Sequence, residues 1–301
     1  MVKKTVEPNN SPLKPPNSDE ITIETAAGKL RVLHAGPQDS RHLPLVLLHG
    51  GGSDNSAISW YRLIEPLSFN RNVWAIDLPG FSGSIGATPV GGPSELANIV
   101  AEVLTKLSVK KAVVFGVSMG GDVALNLALR HGQLVGGLVL IASGGLTASI
   151  GNRILQYGAW ALAQSPDWIL LPAIRLANRF TSLALRGMVK KPALLPAHVI
   201  DEFIREARHP SSGIAYARYN QATLGRYGMS NDLSNKVHSI EVPALFFHGK
   251  DDPLVSPEDS RRAASRMVDA RLVIVTDCGH WAQLECHDRF LVESQAFLAA
   301  L

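Results

Sequence analysis

The chain has 301 residues, of which 46% are hydrophobic, and its 29 basic and 26 acidic side chains leave a net charge of +3. This composition indicates a soluble globular protein with a sizeable core, and the small charge excess gives no sign of nucleic-acid binding. Two cysteines, Cys278 and Cys286, are too few for a disulfide framework, and no Cys/His set has zinc-ligand spacing. No secretory signal or bilayer-spanning apolar run is evident, so a cytoplasmic enzyme is the default expectation.

The first part of the chain predicts strands that alternate with helices. Residues 1–20, rich in Pro, Asn and Ser, are predicted to form a flexible tail. Residues 21–25 and 30–35 predict a hairpin. Amphipathic helical patterns then lie between continuously apolar runs, which indicates βαβ units around a parallel sheet. The apolar runs are 44–50, 72–77, 112–116 and 137–143, and the helical patterns are 94–107 and 119–131.

The alternation stops after Ser143. An apolar helical segment follows, in which Pro166 and Pro172 are predicted to separate short helices. Strand patterns resume later, with Ser256 and Pro257 marking a helix start between them. The later elements are a helix at 196–208, strands at 243–249 and 271–276, and a final helix at 287–301. We therefore expect an α/β core (21–146 and 233–301) with a helical cap (147–232) inserted after the sixth strand.

A G-x-S-x-G motif centred on Ser118 lies between a predicted strand and a predicted helix. A sharp turn at such a junction lifts the serine hydroxyl out of the sheet, and glycines at both flanks avoid clashes. Serine is a poor nucleophile at neutral pH, so it needs a base and an orienting acid. Asp252 and His280 each follow a later strand, in the chain order that this architecture requires. The neighbouring Asp251 is an alternative acid.

Acyl transfer also needs N–H donors directed at the developing oxyanion. The backbone N–H of Met119, at a helix N-terminus, is one candidate. The loop of residues 49–52 after the third strand supplies the other, with Gly51 as the best single choice. This glycine loop could also be a simple turn or a phosphate nest. A dinucleotide site is excluded, because no G-x-G-x-x-G stands there.

Five motifs in sequence order resemble those of α/β-hydrolase-fold serine hydrolases: LLHGGG, DLPGFSGS, GVSMGG, HGKDDPLVSP and CGHWAQLE. The resemblance covers the chain from about Ile21 to its end. It implies a mostly parallel sheet flanked by helices, a Ser118–His280–Asp252 mechanism through an acyl-enzyme, and a cap that shapes the substrate pocket. It also implies a small-molecule substrate and no metal or organic cofactor.

The subfamily is indicated less directly. The segments around Ser143 and Cys278–Gln283 resemble the meta-cleavage-product hydrolases, which cut C–C bonds in ring-fission dienoates. That subfamily has an asparagine where this chain has Val117, and another where it has Trp60. It also has a cap arginine without a clear counterpart near 199–205. Because a charged substrate would lack partners there, ester or lactone hydrolysis is the favoured prediction.

Residues beside the catalytic candidates are predicted to bind substrate, and the cap is predicted to supply an apolar pocket wall. The substrate-binding candidates are Gly50, Gly52, Trp60, Val117 and Trp281. The wall candidates are Trp160, Trp168, Ile169, Leu170, Leu171, Ile174 and Leu176. A lid that skims a membrane surface is an alternative, although no integral membrane segment is expected. A non-catalytic ligand-binding protein on the same scaffold is a further alternative, and the chain is expected to be a monomer or a homodimer.

Overall fold

A computed structural model describes residues 12–301 and contains one eight-stranded sheet. The spatial order is β1-β2-β4-β3-β5-β6-β7-β8, with β1 and β2 antiparallel to their neighbours and every other pair parallel. The mostly parallel sheet of the sequence analysis is therefore confirmed. The strands are β1 (Asp19–Thr25), β2 (Gly28–Ala35), β3 (Leu45–Leu48), β4 (Val73–Ile76), β5 (Ala112–Val117), β6 (Val135–Ile141), β7 (Ala244–Gly249) and β8 (Ala270–Val275).

Twelve α-helices occur in residues 12–301, and five of them lie between β6 and β7, where the cap was predicted. The core helices are α1 (Ser56–Ser59), α2 (Ile64–Leu67), α3 (Pro93–Lys106), α4 (Met119–Arg130), α10 (Pro257–Ala264), α11 (Ala282–Glu285) and α12 (His287–Ala299). The five helices between β6 and β7, which we call the cap helices, are α5 (Arg153–Ala163), α6 (Asp167–Asn178), α7 (Thr181–Met188), α8 (Ala197–Arg208) and α9 (Ile214–Thr223). None of the helices described has the combined length and apolar character of a membrane span.

The continuous apolar runs were predicted to be buried on both faces, and the structure confirms this for β3 to β7. Successive side chains enter opposite layers, because strand side chains alternate. Leu45 and Leu47 pack with α12, whereas Val46 and Leu48 pack with α3 and α4. The result is two apolar cores, one on each side of the sheet.

Two local predictions need correction. Strand β1 begins at Asp19, so the predicted tail ends two residues too late, and residues 1–11 lie outside the described residues. Pro172 lies inside α6 and does not end it. A proline there leaves the Trp168 carbonyl without its helical N–H donor. Trp168 is 76% exposed, so water can supply that donor. Pro166, by contrast, precedes the first residue of α6, as expected of a proline at a helix boundary.

Candidate active site

Ser118 lies on a strained turn between β5 and α4. Its φ is +51°, in the left-handed region that side chains other than glycine rarely adopt. A Cβ atom on Gly116 would lie 2.3 Å from the carbonyl oxygen of Gly120, so the turn closes only with glycine at that position. The hydroxyl group of Ser118 is thereby presented at the carboxyl edge of the sheet, at the N-terminus of a helix.

His280 and Asp252 meet at the same edge, after β8 and β7. Nδ1 of His280 lies 2.7 Å from Oδ2 of Asp252, and both side chains are almost completely buried. The alternative acid, Asp251, is exposed and accepts a hydrogen bond from the backbone N–H of Asp277. In the part of the chain that the structure describes, neither Oγ of Ser118 nor Nε2 of His280 has a hydrogen-bond partner. This nitrogen is the one that a base would use.

Asp252 is held by more donors than the sequence indicated. Its Oδ1 accepts from the backbone N–H groups of Leu254 and Val255, at 2.8 and 3.0 Å. Nε2 of His248 lies 3.1 Å from its Oδ2, and Nδ1 of His248 lies 2.7 Å from the Ser260 hydroxyl. Burial opposes ionisation of Asp252, but the bonds from His248 and His280 outweigh it and hold its pKa well below the usual range. Asp252 therefore stays ionised.

The glycine loop after β3 borders Ser118, since a Cβ atom on Gly50 would lie 3.6 Å from the Ser118 Cβ. The N–H of Gly50 donates to the Asp54 carboxylate at 2.8 Å and is therefore occupied. Among residues 12–301, the N–H groups of Gly51 and Met119 have no acceptor. Gly52, also predicted to bind substrate, has φ +74° and open space around its Cα. The loop can thus offer one N–H, from Gly51, and α4 can offer another.

Asp54 keeps this loop in shape. The buried Asp54 carboxylate accepts from the N–H groups of Gly50 and Asn55 and from the hydroxyl group of Ser59. Burial raises the pKa of Asp54, against the opposing effect of these hydrogen bonds. Nothing in the sequence singles out Asp54, because an aspartate in a glycine-rich loop has many ordinary roles.

A family model described as "alpha/beta hydrolase fold" matches residues 44–285, which is most of the chain. The chain belongs to this family. Like most of its curated relatives, this member of the family is a hydrolase.

Three similar proteins show how varied that family is. The hydrolase is 29% identical over 258 residues to a dihydrolipoyllysine-residue acetyltransferase component of an acetoin cleaving system from Pseudomonas putida, covering 85% of this chain but only 63% of that protein. It is 27% identical to a 2-hydroxy-6-oxononadienedioate/2-hydroxy-6-oxononatrienedioate hydrolase from a Pseudomonas species, and the match covers 90% of this chain and 92% of that protein. The solved structure of Est816, described as an N-acyl homoserine lactone degrading enzyme, is 25% identical with a TM-score of 0.70, covering 92% of this chain and all of that one.

The other predicted substrate-binding side chains are buried in the hydrolase. Trp60 and Val117 belong to the apolar core on the α12 side of the sheet, and Trp60 packs edge-on against Phe115. Trp281 packs edge-on against Phe203 of α8, with ring centroids 5.1 Å apart. Trp281 thus joins the cap to the loop that carries His280. A substrate role for these three residues stays a prediction.

Two cap residues that were not predicted contact the loops of the candidate site directly. A Cβ atom on Gly51 would lie 2.1 Å from the Tyr216 ring of α9, so this ring covers the loop of the candidate oxyanion donor. The hydroxyl group of Tyr219, one turn of helix later, donates to the buried Asp122 carboxylate of α4 at 2.7 Å. Only the packing of α9 onto the core reveals these contacts. No local pattern in the sequence could have indicated them.

A cluster of charges on α8 lies near the same loop. Arg205 forms ion pairs with Glu202 and Glu206, each at 2.6 Å, and Glu202 lies 3.5 Å from the side chain of Asn55. Burial raises the pKa of Glu206 to about 7, against the opposing charge of Arg205. Arg205 is therefore already neutralised by carboxylates of the protein.

The predicted apolar pocket wall is wrong for three of its residues. Trp168, Ile169 and Leu176 are 76%, 41% and 56% exposed, and only Leu170 of this helix is buried. Helix α6 packs on α8 through one side. The apolar residues of α6 are spread over more of its circumference than this one contact can bury.

Proposed function

We propose that the hydrolase cleaves a carboxylic ester or lactone of a largely apolar small molecule through an acyl-enzyme. The observation that carries the proposal is the 2.7 Å contact between His280 and the ionised Asp252, made at the sheet edge where Ser118 is presented. In this proposal Ser118 is the nucleophile, His280 the base and Asp252 the acid that orients the base. Residues 147–232 act in this proposal as the cap over the site.

The proposed reaction has two steps. With its Nδ1–H donated to Asp252, His280 has Nε2 free to accept the proton of Ser118 as Oγ attacks the carbonyl carbon. The unoccupied N–H groups of Gly51 and Met119 stabilise the tetrahedral oxyanion. The leaving alcohol takes the proton from His280. A water molecule, deprotonated by the same nitrogen, then hydrolyses the acyl-enzyme and regenerates Ser118.

Electrostatics near the site favour an uncharged substrate. Arg205 is paired with two glutamates, and the side chains at positions 60 and 117 are apolar and buried. A substrate carboxylate placed beside Arg205 would meet Glu202 and Glu206, and the one cation there is already paired with them. The likeness to the lactone-degrading Est816 supports the same choice.

Hydrolysis of a C–C bond in a ring-fission dienoate is the second candidate. It is supported by the curated relatives, among which hydrolases of 2-hydroxy-6-oxo-dienoates recur at 26–29% identity. This reaction would use the same Ser118, His280 and Asp252. It differs in requiring the substrate carboxylate to be bound despite the pairing of Arg205.

Both candidates can be tested in one experiment. Turnover of p-nitrophenyl esters from acetate to palmitate, of an N-acyl homoserine lactone and of a ring-fission dienoate is measured with wild type and Ser118→Ala. We expect serine-dependent turnover of the ester or the lactone. The acyl-chain length that is turned over fastest then indicates the length of the pocket. Faster turnover of the dienoate would replace the proposal by C–C hydrolysis. A folded protein that binds these compounds without turning any over would indicate a ligand-binding protein.

A further inference from the structure

The outer cap helices leave many large apolar side chains in contact with solvent. Of seventeen such exposed side chains in residues 12–301, eleven lie between Ile150 and Leu194. On α5 and on α6 they recur with one spacing: Ile154, Leu155 and Leu162, then Trp168, Ile169 and Leu176. Residues separated by one and by eight positions fall within an arc of about 100° on a helix. Each helix therefore has a continuous exposed apolar stripe.

The opposite sides of these helices are buried against other cap helices. Helix α5 packs on α9, and α6 and α7 pack on α8. The exposed stripes are thus on an outer layer of the cap, which we call the outer cap face, residues 150–194. So many neighbouring exposed apolar side chains normally mark an interaction surface.

The charge of this region is opposite in sign to that of the rest of the molecule. Residues 147–195 contain six basic side chains and a single acidic one, Asp167, whereas the remaining sequence has 23 basic and 25 acidic residues. Asp167 is itself paired with Arg218. Among the described residues, Arg175, Arg179 and Arg186 form no ion pair. The apolar stripes are therefore accompanied by uncompensated positive charge.

Arg175 and Arg179 line a cleft of about 540 Å³ between α6, the start of α7 and the end of α8. Arg208 and His209 line the same cleft, and no carboxylate does. Thr181 and Ser182 add hydroxyl groups. Guanidinium and hydroxyl donors without an acid are the groups that bind a phosphate oxygen.

We propose that the outer cap face docks on a bilayer of anionic phospholipid, with a headgroup phosphate bound in this arginine-lined cleft. Apolar stripes with Trp and Leu, bordered by Arg and Lys, are the pattern of helices that lie in the plane of a membrane interface. A second copy of the chain fits this face poorly. A twofold contact would bring the unpaired arginines of both copies into one interface, where the one acidic residue of this region, Asp167, is already paired with Arg218.

The test is flotation of the full chain with vesicles of phosphatidylcholine alone or of phosphatidylcholine and phosphatidylglycerol at a 7:3 ratio. We expect binding to the anionic vesicles that weakens with salt, and little binding to the neutral ones. Trp168 reports the contact, because its exposed indole enters an apolar environment and its emission shifts to shorter wavelength. Trp168→Phe should abolish that shift. Equal binding to both vesicle types, or to neither, would overturn the proposal.

Paired charge variants distinguish binding through this face from a general effect of the protein's net charge. Arg175→Gln with Arg179→Gln should weaken binding to the anionic vesicles about 25-fold, because each basic residue near such a surface contributes about fivefold. The matched control, Lys110→Gln with Lys111→Gln, removes the same charge from exposed positions before β5, at the opposite edge of the sheet. An equal loss in the control would refute the assignment of the face.

An apolar variant tests the stripe. Leu176→Ser with Phe180→Ser should also weaken vesicle binding, about tenfold for each fully inserted side chain. Sedimentation equilibrium without vesicles should give the same mass for wild type and variant. If the wild type is a dimer and this variant a monomer, the face is a contact between copies, and the bilayer proposal is wrong.

Discussion

Replacement of Asp252 by Asn tests the site more sharply than deletion of a side chain, because size is conserved while charge and donor pattern change. Asp252 accepts from Nδ1 of His280 at 2.7 Å through Oδ2, while its Oδ1 binds two backbone N–H groups of the following loop. If the amide oxygen keeps the backbone contacts, the new NH₂ group faces His280. His280 can accept a hydrogen bond from this NH₂ group only if its Nδ1 carries no proton. The imidazole proton then moves to Nε2.

A histidine with a proton on Nε2 cannot accept one from Ser118. We therefore expect kcat on the best ester to fall by about 10⁴, the cost of the wrong tautomer in an analogous triad, with a much smaller change in KM. The matched control is Asp251→Asn, because the exposed Asp251 only accepts from Asp277 N–H. This control should retain activity within about twofold of wild type, as expected for a surface site.

The assay is steady-state hydrolysis of the best p-nitrophenyl ester by wild type and both variants, with thermal unfolding to confirm that each folds. Two results would refute the reasoning. Asp252→Asn could retain more than a tenth of wild-type kcat, or Asp251→Asn could lose as much activity as Asp252→Asn. Either result would mean that the 2.7 Å contact does not control the proton on His280.

Three further expectations follow from contacts between the cap and the core. Gly51→Ala should nearly abolish turnover, since its Cβ would lie 2.1 Å from the Tyr216 ring, and Tyr216→Ala in the same chain should restore part of kcat/KM. Tyr219→Phe should lower the free energy of unfolding by about 1–3 kcal/mol in urea titration, because Asp122 loses a buried donor at 2.7 Å. Burial raises the pKa of Asp122 from 3.8 to about 6, so the folded state binds this proton more tightly than the unfolded state. The contribution of Asp122 to stability should therefore be greatest below pH 4 and fall by up to about 3 kcal/mol as the pH rises through 6, and it should be absent in Asp122→Asn. A pH-independent difference in the free energy of unfolding between the two proteins would contradict this.

Strands and helices of the core could be predicted because their signals are local. Buried strands are continuously apolar, and the predicted start of α10 at Ser256 and Pro257 matches its position, with the Ser256 hydroxyl accepting from the N–H of Glu258. The order of Ser118, Asp252 and His280 along the chain also follows from the order of strand ends.

The contacts of the cap could not be predicted, because they join segments that are distant in sequence. Tyr216 covers a glycine more than 160 positions earlier. The pairing of Arg205 with Glu202 is different, because a spacing of three positions on a helix brings two side chains together and is visible in the sequence. The apolar residues of α6 could equally have lined a pocket or faced solvent. Which of the two occurs depends on the partner of the helix, and that is a property of the tertiary structure.

The central claim is that Ser118 is the nucleophile, and covalent labelling tests it most directly. The protein is incubated with diethyl p-nitrophenyl phosphate, which phosphorylates activated serines, and the modified peptide is identified by mass spectrometry. We predict one adduct per chain, on Ser118, formed with release of one equivalent of p-nitrophenol and absent in Ser118→Ala. A folded wild-type protein that gives no adduct, or an adduct on another residue, would contradict the account.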